Sequence, residues 1–368
     1  VSAQRDKFLK LLQRAIQKDA SDIHLKSSCA IYYRIDGEVE PQHEMVMSSQ
    51  DVESFVEILL NEEQMLFFLK KGEIDLAFTE KGVGRFRVNI FRQRGQVSLV
   101  MRRIKTKMES FDELMLPEAT LQLAEYVRGL VLVTGTAGSG KSTAMASILD
   151  HINERRKCHI VTIEDPIEFI HQDKKAVLNQ REITIDTADF GSALKAAMRQ
   201  DPDVLMVGEM RDLETFQAAI SASETGHLVF SSLHTSNAKQ TIDRIIDMFP
   251  VDQKDQVLSQ LSQNLRAVMC LRLLQRMDGS GRVPCVELLM DTPAMRSLIR
   301  ERRHSQLESV IQQGREIGMQ TFNDSLHGLI RAKLISPEEG ISTSENPEEL
   351  NMMLQGIRLS SGGGGILG

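Results

Sequence analysis

The sequence predicts an α/β protein in two parts: a small α+β domain, then a larger domain in which helices cover both faces of a parallel sheet. Three observations lead there. From residue 129 onward, apolar runs of strand length alternate with segments of helical composition, the rhythm of strands joined by crossover helices. Before residue 105, apolar side chains recur at every second position in short runs broken by glycine turns, as in a mostly antiparallel sheet. Between the first apolar run of the larger domain and its first helical segment lies Gly135-Thr-Ala-Gly-Ser-Gly-Lys-Ser-Thr143, which fills the pattern Gly-four residues-Gly-Lys-Ser/Thr.

Taken in order, residues 3–18 put Phe8, Leu11, Leu12, Ala15 and Ile16 on one helical face. Residues 23–25 and 31–35 read as short strands, the second closed by a turn at Asp36-Gly37. Residues 48–70 read as one helical region, opened by Ser48, Ser49 or Asp51 and stopped by Gly72. Three alternating strands follow, carried by Ile74, Leu76 and Phe78, then Phe86, Val88 and Ile90, then Val97, Leu99 and Met101. Residues 105–117 carry no periodicity and end in Leu116-Pro117, which marks a linker. Beyond it, residues 129–135, 159–165, 204–210 and 227–234 are predicted strands, and residues 141–153, 190–200 and 212–225 predicted helices. The expected division is residues 1–104, a linker at 105–117, a second domain at 118–345 with a helical C-terminal part, and a tail at 346–368. The tail's Ser360, Ser361 and following glycines are expected to be disordered.

The 368 residues, 41% of them apolar, suffice for two or three packed cores. A net charge of -7 argues against nucleic acid as the main partner, because phosphate binding needs a concentrated basic face. Cys29, Cys158, Cys270 and Cys285 form no Cys-x-x-Cys pair, so neither a disulfide framework nor a zinc clip is expected, and reduced thiols suit the cytoplasm. No apolar run approaches the roughly 20 residues of a membrane span. Any membrane association is therefore expected to be peripheral and through partners.

The glycines of the 135–143 stretch let consecutive backbone N–H groups turn toward a phosphate chain, while the positive end of the next helix faces the same anion. Gly135, Thr136, Ala137, Gly138, Ser139, Gly140, Lys141, Ser142 and Thr143 are thus the candidate triphosphate loop. Lys141 would reach the β and γ phosphates, and the Ser142 hydroxyl would hold Mg²⁺. Ligands of such sheets bind at the carboxyl ends of the strands, so the polar residues there carry the chemistry. Thr162-Ile-Glu-Asp-Pro-Ile-Glu168 offers Glu164, Asp165 and Glu168 to orient water or hold the Mg²⁺ shell, although the same residues also read as a solvated strand-to-loop turn. The apolar run from Val204 closes on Gly208-Glu209, the form of a Walker B strand with Glu in place of Asp, and Arg211 is placed to pair with it. His227 and His234 bracket the fourth strand, too far apart to share a metal. His234 reads either as a satisfied polar residue or as a sensor of the γ-phosphate. In the small domain, Arg85, Arg87 and Asn89 alternate with Phe86, Val88 and Ile90, and Arg92, Arg94, Arg102 and Arg103 follow. That set reads either as a solvated, salt-bridged face or as an edge that lends arginine fingers to a neighbouring subunit's nucleotide.

These blocks resemble the type II/IV secretion ATPase superfamily, most closely its pilus-retraction (PilT) branch. The matching stretches are Arg85-Phe-Arg-Val-Asn89, Gly138-Ser-Gly-Lys-Ser-Thr143, Thr162 to Phe169, Asn179-Gln-Arg-Glu182 and Asp201 to Asp212. They continue with Thr225-Gly-His-Leu-Val-Phe230, Leu233-His-Thr235, Thr241-Ile-Asp-Arg-Ile-Ile246 and Gly318-Met-Gln-Thr321. The resemblance implies a RecA-like P-loop ATPase domain behind a PAS-like domain, ATP and Mg²⁺ as cofactors, and a homohexamer. It also implies work at the cytoplasmic face of the inner membrane, against a pilus platform protein. By the same resemblance Glu168 activates water within an acidic box that begins at Glu164, and Glu209 is the Walker B glutamate. His227 and His234 form a His box, and Arg87 and Arg102 reach the next subunit's nucleotide. Ala294-Met-Arg-Ser-Leu-Ile-Arg-Glu301 resembles the branch's retraction motif, with Met and Ser in place of Ile and Asn, and its spacing puts Met295, Leu298 and Ile299 on one face. Thr136-Ala137 stands where the branch usually has Pro-Thr, and the tail after Ser344 is unfamiliar. These departures keep open an accessory, PilU-like motor or a related secretion ATPase. The absence of a four-cysteine element argues against the PilB and GspE branch. Outside the family, a DNA-remodelling enzyme would need a basic, salt-sensitive surface, and an inert nucleotide-bound scaffold is disfavoured by Lys141, Glu168 and Glu209 occurring together.

Overall fold

A computed structural model describes residues 2–35, 37–104 and 108–357. Asp36 of the predicted turn, the first three linker residues and the glycine-rich tail lie outside the described residues. The chain divides into two compact units. One takes Val1–Lys107 with Glu168–Ile170, the other Met108–Ile167 with His171–Gly368.

The first unit opens with helix α1 (Ser2–Gln17), followed by strands β1 (Asp22–Lys26), β2 (Cys29–Ile35) and β3 (Glu38–Met47). Helices α2 (Ser49–Leu59) and α3 (Glu62–Lys71) come next, then β4 (Glu73–Glu80), β5 (Gly84–Gln93) and β6 (Gln96–Ile104). The strands form one antiparallel sheet in the order β3-β2-β1-β6-β5-β4. Period-two alternation buries Phe86, Val88 and Ile90 of β5 against Leu99 and Met101 of β6 and against Phe8, Leu11, Val52 and Phe55 of the helices. The single helix expected over residues 48–70 is instead two. α2 ends at Leu59 with Leu60 extended as its cap, and Asn61 starts α3 through a reciprocal capping box with Gln64. β3 was not foreseen, because its sequence is polar, contains Pro41 and lies mostly exposed at the sheet edge.

In the second unit the linker carries a one-turn helix, α4 (Phe111–Leu114), capped by Ser110. The core strands are β7 (Gly129–Thr134), β8 (His159–Glu164), β9 (Val177–Glu182), β10 (Val204–Val207) and β11 (Leu228–Leu233). Between them run α5 (Lys141–Arg155), α6 (Phe190–Ala197) and α7 (Leu213–Glu224). After β11 come α8 (Ala238–Asp247), α9 (Lys254–Asn264), and the strand pair β12 (Leu265–Gln275) and β13 (Arg282–Met290). Five helices close the unit: α10 (Pro293–Arg300), α11 (Leu307–Gln313), α12 (Phe322–Arg331), α13 (Pro337–Thr343) and α14 (Pro347–Leu354). The sheet order is β13-β12-β7-β11-β10-β8-β9. All neighbours are parallel except β12 and β13, so the parallel sheet expected from the rhythm of residues 129–234 is what forms, and β13, beyond that stretch, adds one antiparallel edge strand. The α/β class itself is as predicted. Residues Leu130 to Val133, Val204, Leu205, Val207 and Leu228 to Phe230 are fully buried, the condition of strands covered on both faces.

Candidate active site

β7 delivers its chain to the carboxyl edge of the sheet, and residues 135–140 wrap back to start α5 at Lys141. The glycines are required by geometry. A Cβ on Gly135, whose φ is +146°, would lie 2.4 Å from the Leu271 carbonyl oxygen and 2.4 Å from Ser139 Oγ. Gly140 caps α5 at a φ of +92°, with Leu273 of β12 beside it. Thr136, Ala137 and Gly138 are exposed at the crest, and Ser142 and Thr143 are half-buried in the first turn of α5. The Lys141 ammonium folds back on its own loop, donating to Gly135 O at 2.8 Å and Thr136 O at 3.0 Å.

β11 lies beside β7 in the sheet and β10 lies beside β11, so the residues that close these strands meet above the loop. His234 Nδ1 lies 3.4 Å from Lys141 Nζ, and His234 Nε2 lies 3.2 Å from Glu209 Oε1. Because an ammonium carries only donors, this arrangement is satisfied by a ring that accepts at Nδ1 and donates from Nε2 to Glu209. The other oxygen of Glu209 accepts from Arg211 Nε at 2.8 Å, and Arg211 Nη1 reaches to 3.9 Å from Asp165. A continuous polar chain, Lys141–His234–Glu209–Arg211–Asp165, thus crosses the tops of four strands. His227 sits at the opposite end of β11, its Nδ1 2.9 Å from Ala222 O. It has no part in this cluster.

The carboxylates after β8 part company. Glu164 is buried and its Oε1 accepts from Thr162 Oγ1 at 2.6 Å and Gln180 Nε2 at 3.0 Å. Asp165 is exposed, and Glu168 is exposed with no hydrogen bond or ion pair of its carboxylate among the described residues. Gln180 belongs to β9, whose role against Glu164 the sequence did not reveal. The chain returns through His171, whose buried imidazole leaves Nδ1 without a partner among the described residues, near Asp150 of α5. Burial, reinforced by the Lys174 charge and opposed by Asp150, pushes this imidazole down to about 4.

Arg87 and Arg102, in the first unit, are direct cross-strand partners on β5 and β6. Asp22 of β1 pairs in register with Arg102 on one side and Arg34 on the other, so two guanidiniums flank one carboxylate, with Arg87 next in the row beyond Arg102. Arg102 Nε donates to Asp22 Oδ1 at 2.7 Å while its side chain stays 71% exposed, and Arg87 Nε lies 3.8 Å from Asp75. Burial would lift the Asp22 carboxyl, but hydrogen bonds from Arg102 and Ser21 and the charges of Arg102 and Arg34 hold it below the usual range.

Three features of the loop fit a phosphate chain. They are the positive end of the 15-residue α5, the tight space at Gly135 that a Cβ would fill, and the Ser139 hydroxyl, buried with no hydrogen-bond partner among the described residues. Ser142 in the first turn of α5 and Glu209 at the end of β10 supply a hydroxyl and a carboxylate, the hard oxygen donors that suit Mg²⁺.

Residues 4–339 match the family described as type II/IV secretion system protein. The chain is 44% identical over 338 residues to the type IV pilus retraction ATPase PilT of Pseudomonas aeruginosa, covering 92% of this chain and 98% of that protein. It is 45% identical over 323 residues to a twitching motility protein of Neisseria gonorrhoeae, covering 88% and 86%. The crystal structure of the pilus retraction motor PilT with bound ADP superimposes with a TM-score of 0.88 at 42% identity, covering 94% of this chain and 99% of that one. With its loop, strand order and relatives in agreement, the chain belongs to the type II/IV secretion system protein family.

Proposed function

We propose that this chain is a motor subunit that hydrolyses ATP to power retraction of a type IV pilus. The observation that supports the reading most is the contact of Lys141, His234 and Glu209 above a glycine loop, a cation, an imidazole and a carboxylate gathered beside a turn suited to phosphate. The loop amides and Lys141 bind the phosphates, and His234, touching both Lys141 and Glu209, responds to the terminal one. Ser142 and Glu209 would hold Mg²⁺, which would supply positive charge against the phosphate oxygens. Glu168, exposed and unpaired among the described residues, takes the proton of the attacking water. Glu164, held by Thr162 and Gln180, fixes the strand end from which that segment departs.

The subunits form a homohexameric ring in which Arg87 and Arg102 of one protomer complete the phosphate site of the next. Their mounting on adjacent strands, with Arg102 exposed despite its bond to Asp22, supports that role. On this reading a PAS-like unit at 1–104 supplies the arginines and a RecA-like unit at 118–345 the loop. The ring works at the cytoplasmic face of the inner membrane and acts on a platform protein there. No described helix is long and apolar enough to cross a membrane, which supports attachment through partners.

The test is Glu168→Gln in the purified full chain. ATP hydrolysis is expected to vanish while ATP binding stays within about threefold of wild type. A variant that still hydrolyses ATP at the wild-type rate would remove Glu168 from the mechanism.

A further inference from the structure

The turn that carries His234 is gripped from a second direction. Residues 234–238 lead from the end of β11 into α8. Within that stretch, Thr235 Oγ1 lies 2.7 Å from Thr241 Oγ1, and Asn237 caps α8 by accepting from Gln240 N at 2.9 Å. The other holds come from β12, β13 and the chain after α13. Glu287, on β13 and only 8% exposed, accepts the Ala238 N–H at 2.7 Å. Arg272, on β12, donates to Ser236 O at 3.4 Å and to Thr343 O at 3.0 Å. It also pairs with Glu345, whose second oxygen takes the Asn237 side-chain amide at 3.1 Å. The guanidinium carbon lies 4.0 Å from the centre of the Phe322 ring, which fixes its plane.

Two physical arguments give this arrangement weight. The first N–H groups of a helix have no partner inside it, so the Ala238 N–H depends on Glu287 for satisfaction in a buried place. The strand that walls the phosphate loop with Leu273 also supplies Arg272, so loop and turn share one rigid support. We propose that Glu287 and Arg272 are positioning residues for His234, holding its turn so that the imidazole stays between Lys141 and Glu209. The clamp links that imidazole to Thr343 and Glu345, where the chain passes from α13 to α14. Its kinetic consequence rests on the ATPase reading; its structural consequence does not.

The test uses the full chain with Glu287→Ala, Glu287→Gln, His234→Ala and the double variant. Glu287→Ala is expected to lower kcat about 10- to 100-fold with KM nearly unchanged, the scale expected for a displaced catalytic group. Glu287→Gln keeps an acceptor for the Ala238 N–H and should recover the rate to within about threefold. In the His234→Ala background, adding Glu287→Ala should cost less than about twofold, because the residue acts through His234. Hydrogen exchange of residues 235–241 without nucleotide reads the clamp alone, and is expected to quicken at least about tenfold in Glu287→Ala but not in Glu287→Gln. If Glu287→Ala loses protection throughout its unit, Arg272→Met gives the same reading. Equal losses of kcat in both backgrounds would overturn the proposal, as would unchanged exchange at residues 235–241. A wild-type chain with no ATPase activity would overturn the ATPase reading instead and leave the exchange result to decide the clamp.

Discussion

Replacing Gly135 by alanine tests the phosphate loop at its tightest point. The added Cβ would stand 2.4 Å from the Leu271 carbonyl oxygen, a backbone atom of β12, and 2.4 Å from Ser139 Oγ, at a φ of +146°. The dihedral alone costs about 1–3 kcal/mol for a residue with a side chain. Overpacking against a backbone atom adds about 1–3 kcal/mol. Together, about 2–6 kcal/mol must appear either as lost stability or as a shifted loop. In the first case, thermal melting of the apo chain falls by roughly 5–20 °C. In the second, the Gly135 carbonyl that holds Lys141 moves, and affinity for a fluorescent ADP drops at least about tenfold. Melting curves and ADP titrations on the same sample separate the two. A variant with both melting point and ADP affinity unchanged would refute the geometry from which the loop was argued.

Lys141→Ala removes a charge-assisted phosphate contact worth about 1.5–3 kcal/mol, so nucleotide should bind about 10- to 150-fold more weakly and hydrolysis should stop. Titration and phosphate release check both. Arg87→Ala/Arg102→Ala subunits should lose about 10³-fold or more in ATPase rate, and mixing them with Lys141→Ala subunits should restore part of it. No recovery on mixing argues against sites shared between subunits. Stability should respond to pH through two opposed groups. His171, lowered from 6.5 to about 4, gives stability that is complete above pH 6.5 and lost as pH falls toward 4. Glu287, raised mainly by burial from 4.5 to about 7, gives stability that is complete below pH 4.5 and lost as pH rises through 7. Each amounts to about 3 kcal/mol, so urea midpoints of the wild type should change little between pH 5 and 7. Glu287→Gln should unmask a stability that rises with pH and His171→Asn one that falls. Variants that track the wild type would dismiss both assignments.

Much of this architecture was legible because its strongest signals are local. Leu130 to Val133 and Val204 to Val207 are too apolar to lie anywhere but in a covered sheet, and a glycine loop between strand and helix has few other meanings. The break between α2 and α3 was also written in the chain, as Asn61 and Gln64, but it is hidden inside a continuous apolar pattern. β9 escaped because Val177 and its followers neither alternate nor form an apolar run, and its exposed edge position explains why they need not. The contact of His234 with Lys141 could not be read at all. It depends on β11 lying beside β7, although residues 135–227 separate the two, and strand order is a property of the assembled core. The three carboxylates after β8 looked equivalent as letters. Folding separates them into one anchored and two solvent-facing groups, because only Glu164 still lies within the strand.

Arg266, at the foot of β12, joins Asp291 at 2.8 Å, and Asp291 in turn holds Arg296 of α10. The space beside Gly129, where β7 begins, is filled by the Arg266 side chain. Helix α10 is therefore bolted to the lower ends of the two strands whose upper ends shape the cradle, about 20 Å away at strand rise. A tilt of that helix would enter β12 at Arg266, where the pairing with β7 shifts register between Leu265 and Ala267, and from there run along both strands toward the loop.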